Sequence, residues 1–463
     1  MLDKLIVLII GLQVFFRSSF VNVNLLPTLS IGPSSLGLHD LSFFVLCVSV
    51  FIKIFLEKKN SCNWDFHNKL FATFLIIGVF GIFNAVFTDT SFHLAAKEAR
   101  NFFLYILYFA VISLSLDEKR ILQIVKAILW ISIVTSIFSV LQIVLGDRIG
   151  FLFGKISVLR TQGDEIEGVT RVGSGGLGTI NLMFFICLSS LLYKFNQKQL
   201  IILLILSMAI FLSFNRGTWL SIILSIIFIF PVIQAKLRIK IIKTSIILSV
   251  LGSIFLGLGM NGFLGSKLNL YSGAVIERFV SVLPGQVEND GSTMDRFDEA
   301  EIVLQKIAKR PLFGYGLGAI TQENMVIQGE VDRERMENWG YVHNGYLYMI
   351  FKLGLLGMIV FLLFYITFIM RALKNLKKIH DEKLHAIYLG SLLFIISILP
   401  HSIVSPRIME GKYITVIAIA LGLIEIIKIL SINSSESKIE VENDPDVNSS
   451  VSDSKYTRPR LRG

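Results

Sequence analysis

Arg216, Arg296 and His343 are the residues whose types and surroundings best suit chemistry. Arg216 and His343 lie beside long apolar runs, and Arg296 lies in a polar helix of the loop that precedes His343. Ionisable groups near membrane depth are costly and often functional. Two guanidinium groups can hold a diphosphate through paired, charge-assisted hydrogen bonds and stabilise its developing charge as it leaves. A neutral imidazole beside them can accept the proton of an attacking hydroxyl. The three residues together predict group transfer from a diphosphate, with no requirement for a metal ion.

Each of these residues also has an ordinary structural explanation. Arg216 lies in an Asn-Arg-Gly turn, from which its side chain can extend to lipid headgroups. Arg296 can pair with Glu299 one helical turn later, although the helix dipole disfavours a cation in the first turn. His343 can be an interfacial histidine with a wet tip, and Asn344 can cap the helix that follows.

The elements that must position these residues are membrane helices. The chain has 463 residues, of which 53% are hydrophobic and 17% charged, and its mean hydropathy is +0.68. The apolar residues form blocks of about 20, the length that crosses a bilayer as an α-helix. A transmembrane β-barrel would show short alternating segments instead. The sequence therefore predicts an all-α, polytopic helical bundle of about 12 transmembrane helices.

The domain organisation follows from the positions of these apolar blocks. Residues 1–430 are predicted to form the transmembrane domain, with a large extracytoplasmic loop at 261–342, before the third-last span. Residues 431–463 are rich in Ser, Asp and Asn and are predicted to be a disordered cytoplasmic tail. The predicted spans are 5–16, 36–56, 70–87, 101–116, 121–145, 175–193, 200–214, 219–233, 244–260, 345–370, 384–400 and 413–430.

Charge in the loops predicts the orientation. Alternate loops collect lysine and arginine, as at residues 58–59, 119–120, 236–243 and 371–378. By the positive-inside rule, these loops and both termini are cytoplasmic. Loop charge also accounts for much of the net +10, so nucleic acid is not an expected partner. Arg216, Arg296 and His343 then face the extracytoplasmic side.

The large loop contains a second helix and a glycine-rich turn. Ser292 is expected to cap a helix that ends before Pro311, with an apolar face that includes Phe297 and Leu304. The sequence Gly-Tyr-Gly-Leu-Gly follows at 314–318 and permits tight turns. This turn is either a flexible connector or a backbone cradle for a phosphate.

Four motifs in order make the chain resemble the O-antigen ligase/Wzy-type polymerase family of bacterial surface-polysaccharide enzymes. The segment at 171–181 resembles the family's Arg…Gly-Thr…Asn entry to a span, and 213–219 its Ser-Arg-Gly turn, with Asn215 where serine is usual. The segment at 292–318 resembles its loop helix and Pro-Leu-Phe-Gly-x-Gly turn. The segment from His343 to Gly357 resembles its His-Asn-x-x-Leu…Gly-x-x-Gly span.

The resemblance implies a glycosyltransferase in the bacterial inner membrane whose active site faces the periplasm or cell exterior. It implies that a glycan passes from an undecaprenyl-diphosphate carrier to a sugar hydroxyl of an acceptor glycan or glycolipid, without a metal or cofactor. Arg216 and Arg296 would bind the diphosphate, and His343 would be the base. Residues with an expected role in binding substrate or its lipid phosphate are Arg171, Arg100, Asn344, Tyr315 and Gly316. The resemblance leaves the choice between ligase and polymerase open.

Two other classes compete with a glycosyltransferase. A polytopic solute transporter would have a similar number of spans, with polar or broken-helix features near mid-membrane and related halves. A scaffold of an export machinery would not need three basic groups on one face. The candidate residues here are expected at one face, and no repeated half is visible, which favours the enzyme.

Overall fold

The computed structural model describes residues 2–17, 28–31, 34–57, 65–88, 90–114, 117–145, 156–161, 164–172, 176–260, 266–280, 291–321 and 340–443. Most of these residues are helical. The helices are α1 (Leu2–Arg17), α2 (Leu38–Glu57), α3 (Phe66–Phe87), α4 (Phe92–Phe102), α5 (Leu107–Ile112), α6 (Glu118–Leu145), α7 (Leu177–Tyr193), α8 (Gln197–Leu212), α9 (Arg216–Ile229), α10 (Ala235–Met260), α11 (Ser266–Val280), α12 (Gly291–Lys309), α13 (Gly345–Asn375), α14 (Glu382–Val404) and α15 (Gly411–Asn443). Short 3₁₀ turns at Phe103–Ile106 and Leu376–Lys378 follow α4 and α13.

Two antiparallel hairpins connect consecutive helices and were not predicted from the sequence. Strands β1 (Thr28–Ile31) and β2 (Ser34–Gly37) lie between α1 and α2. Strands β3 (Ile156–Thr161) and β4 (Asp164–Val172) lie between α6 and α7, with an irregular register near Val158. Strands β1, β2 and β3 have only four to six residues, and the longer β4 is rich in charged residues and contains a glycine, so neither hairpin stands out from a polar loop. The all-α prediction therefore holds for the helical bundle, and the two hairpins are elements that it did not include.

The predicted apolar segments are mostly helical where the structure describes them, although residues 36–37 lie in β2 and the segments that end at 214 and 233 finish in turns. Five helices in the described residues are long and apolar enough to cross a membrane: Phe66–Phe87, Glu118–Leu141, Gly345–Lys378, Glu382–Val404 and Gly411–Ile432. Three shorter apolar helices are α7, α8 and α9. These helices make the chain a membrane protein, whereas the count of about 12 spans stays a prediction.

Helices α7, α14 and α15 form the centre of the bundle, since nearly all residues of their apolar parts are buried. Outer helices expose large apolar side chains instead. Phe44, Phe51 and Phe55 of α2 and Phe80 and Phe83 of α3 are all more than half exposed. A broad apolar surface of this kind is expected where lipid acyl chains surround the protein.

Short polar side chains begin several of the helices. Asp65, Asn196 and Asp381 each accept a backbone N–H of the first turn of α3, α8 and α14. Asn215 does so for α9, where it accepts the Thr218 amide at 3.1 Å. These bonds satisfy amide groups that the first helical turn leaves without partners.

The last helix extends beyond the expected end of the bundle. Helix α15 continues past Leu430 to Asn443, so the backbone of 431–443 is helical where the sequence predicted an irregular tail. Extending an existing helix costs far less than starting one, which lets it run on into polar sequence. Residues 444–463 of the predicted tail lie outside the described residues.

Candidate functional site

Arg216 is the first residue of α9, and its turn packs against the end of α14. Its side chain is half-buried. A Cβ added to the next residue, Gly217, would lie 2.6 Å from Val404 Cγ2 and 3.3 Å from His401 Cδ2. The absence of a side chain at Gly217 is therefore what lets Arg216 lie beside the carboxyl end of α14.

His343 lies at the start of α13, which packs against the same end of α14. Asn344 caps α13 by accepting the amides of Tyr346 and Leu347 at 3.0 and 3.1 Å, which confirms the predicted cap. A Cβ on Gly345 would lie 3.0 Å from Pro406 Cα and 3.2 Å from the Ser402 carbonyl oxygen. The amino ends of α9 and α13 thus both meet the carboxyl end of α14, and α13 also meets the turn that joins α14 to α15.

A carboxylate of the loop helix holds His343. Glu299 Oε2 accepts the His343 amide at 3.0 Å and lies 2.8 Å from its ring Nδ1. The ring of Tyr341 stands edge-to-face to the imidazole, with centroids 5.1 Å apart. The His343 side chain is 45% exposed, so the imidazole has an open side.

Arg296 reaches this neighbourhood through α12. It is half-buried and lies one helical turn before Glu299. The face of α12 that meets the bundle differs from the predicted apolar face, since Val303 is buried while Phe297 and Leu304 are more than half exposed. A helix on a membrane surface can turn large apolar side chains towards lipid while its polar side contacts the protein.

The turn at 405–410, between α14 and α15, supplies charged residues that the sequence analysis did not select. Arg407 donates from Nε to His401 Nε2 at 3.1 Å and from Nη1 to Glu410 Oε2 at 2.9 Å. Its guanidinium carbon lies 4.1 Å from the centroid of the Tyr413 ring. Glu410 Oε1 accepts the Tyr341 hydroxyl at 2.7 Å, which ties the turn to the residues beside His343. Charged residues in a short turn between two apolar spans were the available signal.

The ion pair of Arg407 and Glu410 also affects the protonation of Glu410 and of the neighbouring Tyr341. Burial disfavours the charged form of Glu410, but Arg407 and Lys412 outweigh it and hold the pKa of this carboxyl below its ordinary value. Burial, with Glu410 close by, raises the pKa of the Tyr341 hydroxyl. Tyr341 therefore stays a hydrogen-bond donor, and the turn carries a fixed arginine–carboxylate pair.

Residues 311–318 leave the loop and insert between α13, α3 and α4. The amides of Tyr315 and Gly316 donate to the carbonyls of Phe351 and Lys352 at 2.8 and 2.9 Å. The Leu317 amide donates to Gly81 at 3.0 Å. We name residues 311–318 the inserted segment. It is neither a flexible connector nor a backbone cradle for phosphate, because these amides are already bonded within the protein.

Helix α13 is broken where it meets the inserted segment. Gly354 has φ +70° and ψ −179°, which interrupts the helical backbone. The freed amides of Leu355 and Leu356 donate to the carbonyls of Pro311 and Leu312 at 2.8 and 3.3 Å. A broken helix is a feature of many solute carriers, but here the chain itself takes up the groups that the break releases.

A buried ion pair anchors the far end of the inserted segment. Lys352 Nζ lies 2.7 Å from Glu98 Oε2 and donates to the Ala319 carbonyl at 2.6 Å. Glu98 also accepts the Gly318 amide. Lys352 was not among the residues selected from the sequence, although a lysine inside an apolar run is itself a signal of function or of a specific partner.

The weaker candidates lie elsewhere. Arg100 of α4 donates to Asp40 Oδ2 at 2.9 Å, a carboxylate that it shares with Arg17 at 3.7 Å. Arg171 lies on β4, paired in register with Ser157, and its side chain lies outside what the structure describes. The hydroxyl of Tyr315 donates to the Lys306 carbonyl at 3.2 Å. None of the described contacts joins Arg100 or Tyr315 to His343.

The arrangement around His343 favours an anion. The amino ends of α9 and α13 pack against the carboxyl end of α14, and α15 begins directly after the turn of residues 405–410. The dipole at a helix amino end attracts negative charge. Among the residues described above, the cationic side chains are Arg216, Arg296, Arg407 and Lys412, and the carboxylates are Glu299 and Glu410.

The fold and this site define a polytopic helical membrane protein with a polar cluster at one end of its bundle. Residues 201–362 match the sequence model of the O-antigen ligase family. This match confirms the family that the motifs predicted, and it spans Arg216, Arg296 and His343 but neither Arg100 nor Arg171. A comparison with curated proteins gives no match.

Proposed function

We propose that this protein is a surface-polysaccharide glycosyltransferase of the ligase or polymerase type, in the bacterial inner membrane with its site outside the cytoplasm. It transfers a glycan from an undecaprenyl-diphosphate carrier to a hydroxyl of an acceptor glycan or glycolipid. The family match supports surface-polysaccharide ligation or polymerisation in general. The carrier, the residue roles and the metal independence of the reaction belong to this proposal.

The observation that carries the proposal is that the starts of α9 and α13 both pack against the end of α14, while the loop helix α12 contacts the residue that precedes α13. Gly217, beside Arg216, lies against His401 and Val404, while Gly345, near His343, lies against Ser402 and Pro406. The helix that bears Arg296 is joined to His343 through Glu299. Residues far apart in the chain are thereby gathered where a diphosphate and a hydroxyl can meet.

In the proposed reaction, Arg216 and Arg296 bind the diphosphate and stabilise the charge that develops on it, a contribution of about 1.5–3 kcal/mol per charge-assisted bond. The acceptor oxygen attacks the anomeric carbon, and the bond from this carbon to the diphosphate oxygen breaks. His343 Nε2 takes the proton of the acceptor hydroxyl, an effect of about 10²–10⁴-fold. Undecaprenyl diphosphate leaves with the bonding electron pair.

The remaining residues have supporting roles in the proposal. Arg100 and Arg171 contact lipid phosphate, and Asn344 orders the backbone beside His343 through its cap. The inserted segment, with Tyr315 and Gly316, supports α13 rather than the diphosphate, since its amides are bonded to α13 and α3.

The test uses purified protein, a synthetic undecaprenyl-diphosphate oligosaccharide and a chelator, with gel analysis of the products. A ladder of longer lipid-linked glycans identifies a polymerase, and transfer only on addition of lipid A–core or another acceptor identifies a ligase. Arg216→Ala and Arg296→Ala should each abolish transfer while the protein still inserts. His343→Ala should also insert, and it should leave only a residual rate, about 10²–10⁴-fold below that of wild type. Lys309→Ala, an exposed cation at the other end of α12, is the matched control and should stay active.

Two outcomes would contradict the proposal. Full activity of Arg296→Ala would remove the diphosphate-binding role of this residue. The absence of any reaction with any acceptor, for wild type and His343→Ala alike, would favour the solute transporter instead.

A further inference from the structure

Glu299 makes two bonds to one residue across the large loop. Its Oε2 accepts the backbone N–H of His343 at 3.0 Å and lies 2.8 Å from the ring Nδ1 of the same residue. The two residues are 44 positions apart, and Glu299 belongs to α12 whereas His343 precedes α13. The paired contacts therefore fix both the backbone and the ring of His343 relative to the loop helix.

The chemistry of the contact decides the tautomer of the imidazole. A carboxylate oxygen only accepts hydrogen bonds, so Nδ1 must carry the proton in this pair. In a neutral ring, Nε2 is then the nitrogen with a free lone pair. The imidazole is 45% exposed, which leaves room for a reacting hydroxyl. An acceptor that holds a histidine in one tautomer and one orientation is the third member that activated bases commonly need.

Other carboxylates near this end of the bundle have different partners. Glu410 is bonded to Tyr341 and Arg407, and Glu98 is bonded to Lys352. Among the described contacts, the carboxylate that reaches the His343 ring is that of Glu299. In the sequence, Glu299 was considered only as a possible i,i+3 partner of Arg296.

We propose that Glu299 is a positioning residue for His343, which holds Nδ1 protonated so that Nε2 faces the acceptor hydroxyl. This inference rests on the proposed role of His343 as the base. It adds that the loop helix contributes to catalysis through this carboxylate as well as through Arg296. Glu299 itself touches neither the diphosphate nor the reacting atoms in this proposal.

The test compares kcat and KM for Glu299→Ala, Glu299→Gln and Glu299→Asp in the transfer assay. Glu299→Ala should lower kcat about 10- to 100-fold, which is part of the total contribution of the base. It should change KM for the lipid-linked donor by less than about threefold. Glu299→Gln keeps an acceptor oxygen of the same reach and should restore part of the rate. Glu301→Ala, an exposed carboxylate on the same helix, is the matched control and should leave both constants unchanged.

A double variant separates positioning from folding. In the His343→Ala background, Glu299→Ala should cause no further loss of the residual kcat, because the group that it positions is already absent. A carboxylate that merely docks the loop would still lower the residual rate in that background, and this result would overturn the inference. Wild-type kcat for Glu299→Ala, with His343→Ala inactive, would also overturn it while leaving the proposed function intact. Full activity of His343→Ala would instead remove the proposed base.

Discussion

Gly354 of α13 lies directly against Leu312 of the inserted segment. A Cβ built on Gly354 would come within 2.1 Å of the Leu312 carbonyl oxygen, which itself accepts the Leu356 amide at 3.3 Å. The backbone at Gly354 has φ +70° and ψ −179°, a conformation that essentially only glycine adopts. The break in α13 and the path of the inserted segment therefore depend on each other.

We expect Gly354→Ala to lower the thermal unfolding midpoint of the detergent-solubilised protein markedly. The strained backbone alone costs about 1–3 kcal/mol, and the clash with Leu312 adds to it. Gly252→Ala in α10 is the control, because a Cβ there meets nothing within 4 Å. That substitution should be neutral or slightly stabilising, since alanine favours a helix over glycine by about 1 kcal/mol. Equal midpoints for the two variants would contradict the interlocked arrangement.

The ion pair of Lys352 and Glu98 leads to a second prediction, again on stability. Lys352→Met leaves Glu98 buried without its cation, and breaking a buried pair typically costs about 3–5 kcal/mol. The double variant Lys352→Met with Glu98→Gln should lose less unfolding free energy than the two single variants lose together, because no uncompensated charge remains. Lys374→Met, an exposed lysine on the same helix, should behave as wild type. Additive effects of the two substitutions would show that the pair is not coupled.

The turn at 405–410 should give the protein a pH-dependent stability. The pKa of Glu410 is lower in the folded protein than its ordinary value of 4.5, so its ion pair stabilises the fold above that value. This contribution is lost as pH falls through the lowered pKa. Thermal unfolding of wild type and Glu410→Gln should therefore differ most near pH 7, and the difference should shrink below about pH 4.

Glu301→Gln is the control for this titration, because its carboxylate is exposed on α12. It should follow the wild-type pH dependence throughout. A difference between wild type and Glu410→Gln that does not shrink as pH falls from about 4 to about 2 would mean that the charge of Glu410 does not stabilise the turn.

The orientation of the chain is open to cysteine labelling in intact cells. With Cys47, Cys62 and Cys187 replaced by serine, Glu301→Cys in the large loop should react with a maleimide that crosses no lipid bilayer. Lys378→Cys, at the opposite end of the bundle, should react only after the membrane is permeabilised. Both positions are exposed in the structure, so access depends on the side of the membrane. The reverse pattern would invert the predicted topology.

Local features of the fold were predictable because they depend on neighbouring residues. Apolar runs predicted the helices, Asn344 predicted a cap, and Pro311 predicted the end of the loop helix. Arg216 and His343 were selected from their type and their place beside apolar runs, and Arg296 from its place in the first turn of the loop helix. The family match at 201–362 covers all three of them.

The partners of these residues were not predictable in the same way. A pair with Arg296 was the structural alternative that the sequence offered for Glu299, whereas the contact of its Oε2 with His343 is visible only in the fold. The glycines of the inserted segment looked like a flexible or phosphate-binding turn, yet they allow close contact with the backbones of α3 and α13. Arg407 and Glu410 were not selected from the sequence, because only the fold brings their turn close to Tyr341 and the start of α13.

The sequence by itself determined that the chain is a helical membrane protein, which helices it forms and which basic residues end them, because hydrophobic length and capping act over a few neighbouring residues. Only the tertiary structure decided which polar groups meet. In an apolar interior, each buried donor, acceptor and charge needs a partner, and the partner is whichever group the packing brings within reach. Lys352 with Glu98 and His343 with Glu299 are such pairs, each joining elements that lie far apart in the chain.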